Sequence, residues 1–286
     1  MPSLIDIRRR IRSVRNTQQI TKAMKMVSAA KLRRAQDRVI AARPYAALIR
    51  KVLANLAVAV EADERAASNP LLARRPEGHV LLLLFTSDKG LAGAFNANLI
   101  KAAQKFVEEH ADAELELETI GRKGRDFFRK RGARIVAEHI GILNAPRFDD
   151  AATIARQAIG RFRSGEIDAV YLLNNEFKSM VSQRLSVARL LPVEIPPKAE
   201  VVDYIFEQPA NQMLESLLPR FVETEVYRSM LETGAAEHAA RMMAMEAATS
   251  NASEMIETLT LYMNRVRQAS ITKEIIEVVS GAAAAE

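Results

Sequence analysis

A glycine-containing loop between two predicted elements is the segment whose residue types best suit ligand chemistry. Residues 86–95 read TSDKGLAGAF, directly after the apolar run HVLLLLF and directly before a helical pattern. Doubly wound α/β proteins bind phosphate groups at such a strand-to-helix junction, and Lys89 could attract an anion there. Gly90 and Gly93, however, are spaced as GxxG, which matches neither GxGxxG nor GxxxxGK[ST]. We therefore favour a tight structural turn over a phosphate-binding loop.

Basic side chains are concentrated near the N-terminus, and charge recognition is the second chemistry that the sequence offers. Lys and Arg recur throughout residues 8–38, where Asp37 is the only acid, and the whole chain has a net charge of +6. Apolar residues such as Ile7, Ile11 and Val14 alternate with these charges, whereas basic helices that enter a DNA groove lack such a stripe. The pattern indicates a helix that packs on one side. We favour an acidic protein partner, with a solvated charged face and nucleic acid as alternatives.

Metal and covalent catalysis find little support in the residue types. The chain has no cysteine, and its four histidines lie far apart with no HExxH pattern. Adjacent carboxylates such as Glu108 and Glu109 point to different faces of a helix, so they cannot act as a pair. We predict no catalytic, metal-binding or cofactor-binding residue, and no cofactor.

Membrane insertion is also not indicated. The first residues turn charged at once, which predicts that there is no signal peptide. The longest apolar run, residues 80–85, is far shorter than the roughly 20 residues that span a bilayer. Any membrane contact is expected to go through partner subunits.

The N-terminal segment must position the basic residues, and its pattern is helical. Residues 3–64 contain no Gly and only one Pro, Pro44. Ser3 can cap this helix, and Asp6 suits its first turn. Apolar residues recur in steps of three and four, which is helical spacing with irregular heptads. They are Leu4, Ile7, Ile11, Val14, Ile20, Met24, Val27, Val39, Ala42, Tyr45, Leu48, Val52 and Leu56.

The middle of the chain alternates between strand and helix patterns. Strands are predicted in HVLLLLF and at residues 115–120, 134–137 and 167–173, with further edge segments at 182–191 and 201–206. Helices are predicted at 92–110, 121–131 and 149–163, the last capped by Asp149 or Asp150. This rhythm predicts a small, mostly parallel, Rossmann-like sheet.

The C-terminal segment returns to helical spacing. We predict a helix with Pro219 in the first turn of its main part and Gly281 as its C-terminal stop. Two long amphipathic helices that leave one small domain are expected to pair with each other, antiparallel. The predicted fold is α+α/β: residues 1–65 form an N-terminal coiled-coil helix, 76–208 a Rossmann-like α/β domain, and 210–286 a C-terminal coiled-coil helix.

Three blocks of this sequence carry a family resemblance. They are IRSVRNTQQITKAMKMVSAAKLRRAQ at residues 11–36, TSDKGLAGAFN at 86–96, and the block from EHAARMMAM to EVVSGA at 237–282. Together they closely resemble the gamma-chain family of bacterial F-type ATP synthases. The resemblance implies a non-catalytic, central rotary stalk of a proton-translocating ATP synthase that transmits torque between the membrane c-ring and the catalytic alpha/beta hexamer. It implies one copy per complex, with alpha, beta and epsilon subunits and the c-ring as partners, on the cytoplasmic face of the bacterial inner membrane.

The same resemblance implies coupling and interface residues. Met24 and Lys25 in ITKAMKM resemble the shaft position that faces the moving lever of a beta subunit. Three residues in RQASITKE and one in HAARM resemble upper-shaft residues that contact beta loops. They are Gln268, Thr272, Glu274 and Arg241. We expect Lys25 and Arg241 on an exposed or interface face.

A second class of function stays open beside this one. A strand-to-helix loop near basic helices would also suit an α/β nucleotide-binding or nucleic-acid-binding protein with basic helical arms.

Overall fold

The computed structural model describes residues 3–60, 69–180, 182–194 and 208–283. By proximity of Cα atoms the chain divides into two compact units. Unit 1 combines Met1–Ser28 with Met242–Glu286, and unit 2 is Ala29–Arg241. Two long helices, α1 (Leu4–Val60) and α5 (Ala210–Ala283), contribute to both units. Unit 1 therefore consists of the N-terminal part of α1 and the C-terminal part of α5.

Helix α1 begins with the predicted cap. The Ser3 hydroxyl accepts a hydrogen bond from the Asp6 N–H at 3.2 Å, and the Asp6 carboxylate accepts one from the Ser3 N–H at 3.3 Å and one from the Ser3 hydroxyl at 2.8 Å. This reciprocal arrangement is a capping box with an acid in the third helical position. The hydrogen bond from Ser3 also lowers the pKa of the Asp6 carboxyl.

The inward face of α1 follows a regular seven-residue repeat. Buried or half-buried side chains recur in alternating steps of three and four, which is the period of a coiled-coil seam. They are Leu4, Ile7, Ile11, Val14, Gln18, Thr21, Lys25, Ser28, Leu32, Ala35, Val39, Ala42, Ala46, Ile49, Leu53 and Leu56. The expectation of irregular heptads is therefore wrong. Four residues that were expected on this face are instead more than half exposed: Ile20, Val27, Tyr45 and Leu48. Their neighbours Thr21, Ser28, Ala46 and Ile49 take the inward positions.

The predicted Rossmann-like sheet is confirmed. Its strands are β1 (His79–Phe85), β2 (Glu114–Ile120), β3 (Ile135–His139), β4 (Ala169–Phe177) and β5 (Gln183–Leu191). The spatial order is β3-β2-β1-β4-β5; β1 to β4 are parallel, and β5 is an antiparallel edge strand beside β4. The apolar run of β1 is fully buried because it lies at the centre with helices on both faces. The edge segment predicted at 201–206 lies outside the described residues.

Helices cover both faces of this sheet, and they are α2 (Phe95–Glu109), α3 (Arg122–Arg129) and α4 (Phe148–Arg163). Leu81, Leu83 and Phe85 belong to one core cluster with residues of α1, α4 and α5. The alternate side chains of β1 point to the other face, where α2 and α3 pack. Asp149 and Asp150 lie in the first turn of α4 rather than at its N-cap, which is Arg147, so the cap prediction is wrong.

Helix α5 begins at Ala210, where the helical pattern was predicted to return, but it is continuous through Pro219 and extends beyond Gly281. Pro219 therefore lies in its interior and not in a first turn. Leu214 and Leu218 are buried in the core cluster, and this packing extends the helix before the proline. Gly281 does not stop the helix, which continues to Ala283.

Within unit 2, α1 and α5 run antiparallel as expected. Arg43 pairs with Glu232 at 3.1 Å, and Arg50 pairs with Glu225 at 2.6 Å. As residue numbers rise along α1, those of the contacting residues on α5 fall, which is the antiparallel arrangement. The Glu232 carboxylate also accepts the Phe177 N–H at 2.9 Å. This buried acid therefore ties both helices to the end of β4.

The predicted domain boundaries at residues 65, 76, 208 and 210 stay predictions. Residues 61–68 and 195–207, beside two of these boundaries, are not among the described residues. Before β1, Asn69 opens a turn: its side chain accepts the Leu71 N–H at 3.0 Å, and its carbonyl accepts the Leu72 N–H at 3.0 Å.

Candidate functional site

The helix pair of unit 1 is held by polar contacts across its seam. The Gln18 side-chain amide donates to the Ser253 hydroxyl at 2.6 Å, and the hydroxyls of Thr21 and Thr249 lie 2.8 Å apart. One turn further along α1, Lys25 forms an ion pair with Glu246. Each contact joins an ascending position on α1 to a descending one on α5, so this pair is antiparallel too.

Met24 and Lys25, the first two predicted coupling residues, lie at the outer edge of this seam. Met24 is half-buried, and the Lys25 side chain remains partly exposed beside Glu246. An exposed ion pair of this kind contributes only about 0–1 kcal/mol to stability. Met26 and Val27 extend from the same turn into solvent. The surface around Lys25 is thus available to a partner.

The other predicted contacts on α5 lie on its exposed C-terminal part. Gln268, Thr272 and Glu274 are exposed, and the Thr272 hydroxyl donates to the Gln268 carbonyl at 2.9 Å. Every residue from 271 to 280 is exposed, and the large apolar members are Ile271, Ile275, Ile276, Val278 and Val279. Apolar side chains gathered in this way mark a surface that a partner covers.

Arg241 differs from the other predicted contact residues because it is buried within unit 2, at 9 % exposure. Its guanidinium pairs with Glu237 one helical turn earlier at 2.7 Å. It also donates to the carbonyls of Lys89 and Gly90, at 3.3 Å each. Its side chain therefore holds the glycine-containing loop, and the expected exposed position is not found in the chain alone.

The ion pair between Arg241 and Glu237 is buried, and burial disfavours the charged form of the carboxyl group. Burial raises the pKa of the Glu237 carboxyl, and the positive charge of Arg241 works in the opposite direction. A buried carboxylate of this kind depends on its partner, because removal of the arginine would leave an uncompensated charge.

The loop itself satisfies its polar groups internally. Ser87 donates from its N–H and its hydroxyl to the Asn96 side chain, at 3.0 and 2.9 Å. The Asp88 carboxylate accepts the N–H groups of Arg122 and Gly141, at 3.0 and 2.9 Å. Two loop carbonyls face a guanidinium, which is the opposite polarity to a phosphate cradle. These contacts support a structural turn and give the nucleotide-binding alternative no site here.

Close backbone packing fixes the start of the loop. The Thr86 hydroxyl accepts the Gly124 N–H at 2.9 Å. Gly121 has a φ of 109°, and a Cβ atom at this position would overlap the Thr86 carbonyl. Glycine is required there both by the backbone conformation and by the close approach of the two segments.

Neither a metal site nor a membrane span is found in the described part of the chain. No three side chains of the metal-ligating types come together within residues 3–60, 69–180, 182–194 and 208–283. None of the helices over the same ranges is both long and apolar enough to cross a membrane.

Sequence reasoning missed the polar seam of unit 1. Gln18, Thr21 and Lys25 are spaced by three and four residues, which is the seam spacing. Because these residues are polar, the apolar Ile20 and Val27 were assigned to the buried face instead. A search for heptad spacing regardless of polarity would have found them. The role of Arg241 as a loop clamp carried no signal in the sequence.

Comparisons with known proteins agree on one family. A family model described as ATP synthase matches residues 3–285. The ATP synthase gamma chain of Solibacter usitatus is 68 % identical over 286 residues and 100 % of both chains. The gamma chain of Desulfitobacterium hafniense is 51 % identical, also over 100 % of both chains.

The solved structures that match this chain are also parts of ATP synthases. A central stalk and c-ring structure of the Tetrahymena thermophila mitochondrial ATP synthase matches with a TM-score of 0.63 and 25 % identity, over 80 % of this chain and 99 % of that chain. A rotor structure of the Euglena gracilis mitochondrial ATP synthase shares the fold, with a TM-score of 0.65 at 17 % identity, over 94 % of this chain and 98 % of that one.

Proposed function

The chain belongs to the ATP synthase gamma chain family, as a central-stalk subunit rather than a catalytic one, and from this premise we propose that it transmits torque. The torque passes between a membrane c-ring and a catalytic alpha/beta hexamer of a proton-translocating enzyme. The observation that carries the proposal is the surface of unit 1. Its helices close their seam on each other, and their outward residues, which include the apolar ones at 271–280, remain for partners.

Torque transmission requires a shaft whose two helices move together. Three polar contacts, at Gln18, Thr21 and Lys25, join α1 to α5 within unit 1. Hydrogen bonds across the seam resist sliding of one helix along the other because they are directional. The outward face must discriminate little between orientations, since a partner shifts an equilibrium only by its differential affinity for the states.

Met24, Lys25, Gln268, Thr272 and Glu274 are the residues that we propose to contact the catalytic beta subunits. Their side chains are exposed or half-buried in unit 1, which supports this assignment. Arg241 belongs to the same proposal in a different way. It would act through the loop that it holds at Lys89 and Gly90, as a positioning residue.

The remaining partners and the location follow from the same premise. We propose alpha, beta and epsilon subunits and the c-ring as partners, on the cytoplasmic face of a bacterial inner membrane. One chain supplies both helices of the pair, which supports one copy per complex.

Rotation of this chain in an assembled alpha/beta complex tests the proposal. The chain has no cysteine, so Ala111→Cys introduces one attachment point, in an exposed turn after α2. A bead attached there should turn in one direction when ATP is added, with the hexamer immobilised. A complex that hydrolyses ATP at full rate while the bead only diffuses would contradict the proposal.

A further inference from the structure

A cationic cavity lies in unit 2, and none of the residues proposed to contact the beta subunits lines it. It has a volume of about 260 Å³ and lies between α1, the turn that follows the 3-10 helix Ile142–Asn144, and α5. Lys31, Arg34 and Arg38 line it from α1, and His238 lines it from α5. The spacing of the three cations, by three and four residues, places them on one face of the helix.

The positive charge of this cavity is not neutralised within the described chain. None of Lys31, Arg34 and Arg38 has a carboxylate within ion-pair distance among residues 3–60, 69–180, 182–194 and 208–283. Two acids nearby are engaged elsewhere: Asp88 accepts backbone N–H groups, and Glu237 pairs with Arg241. Three cations around a concave surface favour a bound anion, because its charge offsets their mutual repulsion.

A buried polar group on the cavity wall points to the same conclusion. His238 is 7 % exposed, and its Nδ1 atom has no hydrogen-bond partner among the described residues. Buried polar groups in proteins are normally paired, so an unpaired one needs an explanation. A neutral imidazole can donate one N–H to an anion and leave its other nitrogen as an acceptor.

One side of the cavity is closed by packing of α5 against the turn, and the cations that line it suit a phosphate group. Gly234 forms part of the wall, and a Cβ there would lie 3.3 Å from the Leu143 carbonyl, so α5 and the turn pack closely at the floor. Guanidinium groups bind phosphate oxygens with two parallel hydrogen bonds, and Lys31 adds a point charge.

We propose that the cavity formed by Lys31, Arg34, Arg38 and His238 binds a phosphate-type oxyanion. The anion is either free phosphate or diphosphate, or the phosphate end of a nucleotide. This site is separate from the proposed shaft contacts in unit 1, and its occupancy does not require rotation.

Calorimetric titration of the full chain with pyrophosphate tests the site, in a buffer without other multivalent anions. Arg34→Gln removes one cation of the cavity, and Arg33→Gln is the matched control, because Arg33 is exposed on the same helix but does not line the cavity. We expect Arg34→Gln to weaken pyrophosphate binding about tenfold or more, since a charge-assisted bidentate contact is lost. Arg33→Gln should change the dissociation constant by less than about twofold.

Further arms identify the source of the anion. Equal affinities for ADP and pyrophosphate would assign recognition to the phosphates alone, and tighter binding of ADP would assign the site to a nucleotide; both support the proposal. His238→Phe should weaken binding severalfold, with circular dichroism as the check of folding. No binding of pyrophosphate to the wild-type chain, or equal losses in Arg34→Gln and Arg33→Gln, would overturn it. So would binding of an acidic peptide through Arg34 with no binding of pyrophosphate.

Discussion

The same two helices are joined by different chemistry in the two units. In unit 2 the inward face of α1 carries Ile49, Leu53 and Leu56, which belong to or border one apolar core with the sheet and α5. In unit 1 the inward face of α1 begins with apolar residues such as Ile7 and Ile11, and its later heptad positions are Gln18, Thr21 and Lys25, which form polar contacts with α5. The apolar seam supplies most of the stability, because burial is the dominant favourable term in folding.

The polar seam suits a surface that must also serve partners. In the part of α1 that carries the polar seam, the apolar residues Ile20 and Val27 are exposed, whereas Gln18 and Thr21 contact α5. This inversion makes sense if the outward face is covered in an assembly. Unit 2 therefore contains the large apolar core, and we propose that unit 1 carries the contacts with other subunits.

The largest expected effect is loss of stability from the apolar seam. Leu53→Ala removes a side chain that is 1 % exposed, and we expect the free energy of unfolding to fall by about 2–5 kcal/mol, because a cavity is left in the core. Urea denaturation measures it. Leu48→Ala, at an exposed position of the same helix, should change it by less than about 0.5 kcal/mol. If both variants lowered the free energy of unfolding by similar amounts, the inward and outward faces of α1 would not differ in their contribution to stability.

A pH-dependent loss of stability is expected from His238 in unit 2. Burial, and then the charges of Arg241 and Lys31, lower the pKa of His238 to about 4. The unfolded chain has its histidine pKa near 6.5, so between about pH 6.5 and 4 it binds a proton that the folded chain does not. The free energy of unfolding should therefore fall as the pH drops through this window, by up to about 3 kcal/mol.

Replacement of the imidazole isolates this contribution. His238→Gln should flatten the pH dependence of urea denaturation between pH 6.5 and 4 in phosphate-free buffer. Circular dichroism at pH 7 checks that the variant is folded. An identical slope in wild type and His238→Gln would refute the assignment.

A smaller effect is expected from the polar seam of unit 1. Thr21→Val removes the hydroxyl contact with Thr249 but keeps the volume, and Thr249 retains its hydrogen bond to the Met245 carbonyl at 2.7 Å. We expect a loss of about 1 kcal/mol, as for one buried hydrogen bond. Thr17→Val on the exposed face is the control. A loss from Thr21→Val as large as that from Leu53→Ala would show that the polar seam is not the weaker one.

The sequence predicted which segments form helices and strands better than it predicted which side of a helix is buried. Strand and helix patterns identified the sheet, since β1 is a short apolar run and its neighbours repeat at regular intervals. The inward face of α1 was predicted wrongly at Ile20 and Val27, because an apolar residue signals burial without saying whether the partner is this chain or another. The spacing of apolar residues alone cannot distinguish burial within this chain from burial against another chain.

The candidate site residues were predicted from family resemblance and not from local sequence pattern. Met24, Lys25, Gln268, Thr272 and Glu274 came from family resemblance, and their exposed or half-buried positions fit that assignment, which stays a prediction. Arg241 also came from resemblance, but its burial depends on a loop 150 or so residues away in sequence. Local pattern carries no information about such a contact, because folding alone brings the two segments together.

We propose that the outward surface of unit 1 couples this chain to its partners, and a charge reversal at Lys25 tests this coupling most directly. Lys25→Glu reverses an exposed charge and places a carboxylate against Glu246, at a cost in stability below about 1 kcal/mol. ATP-driven proton pumping should be measured in the reassembled membrane complex, with hydrolysis measured in parallel. Lys22→Glu, an exposed lysine on the same helix, is the matched control.

The double exchange of Lys25→Glu with Glu246→Lys restores the ion pair and leaves the outward charge pattern altered. We predict that protons pumped per ATP hydrolysed fall by roughly half or more in Lys25→Glu, since like charges oppose the partner contact. The ratio should stay low in the double exchange and near wild type in Lys22→Glu. Normal pumping by a folded, assembled Lys25→Glu complex would contradict the claim.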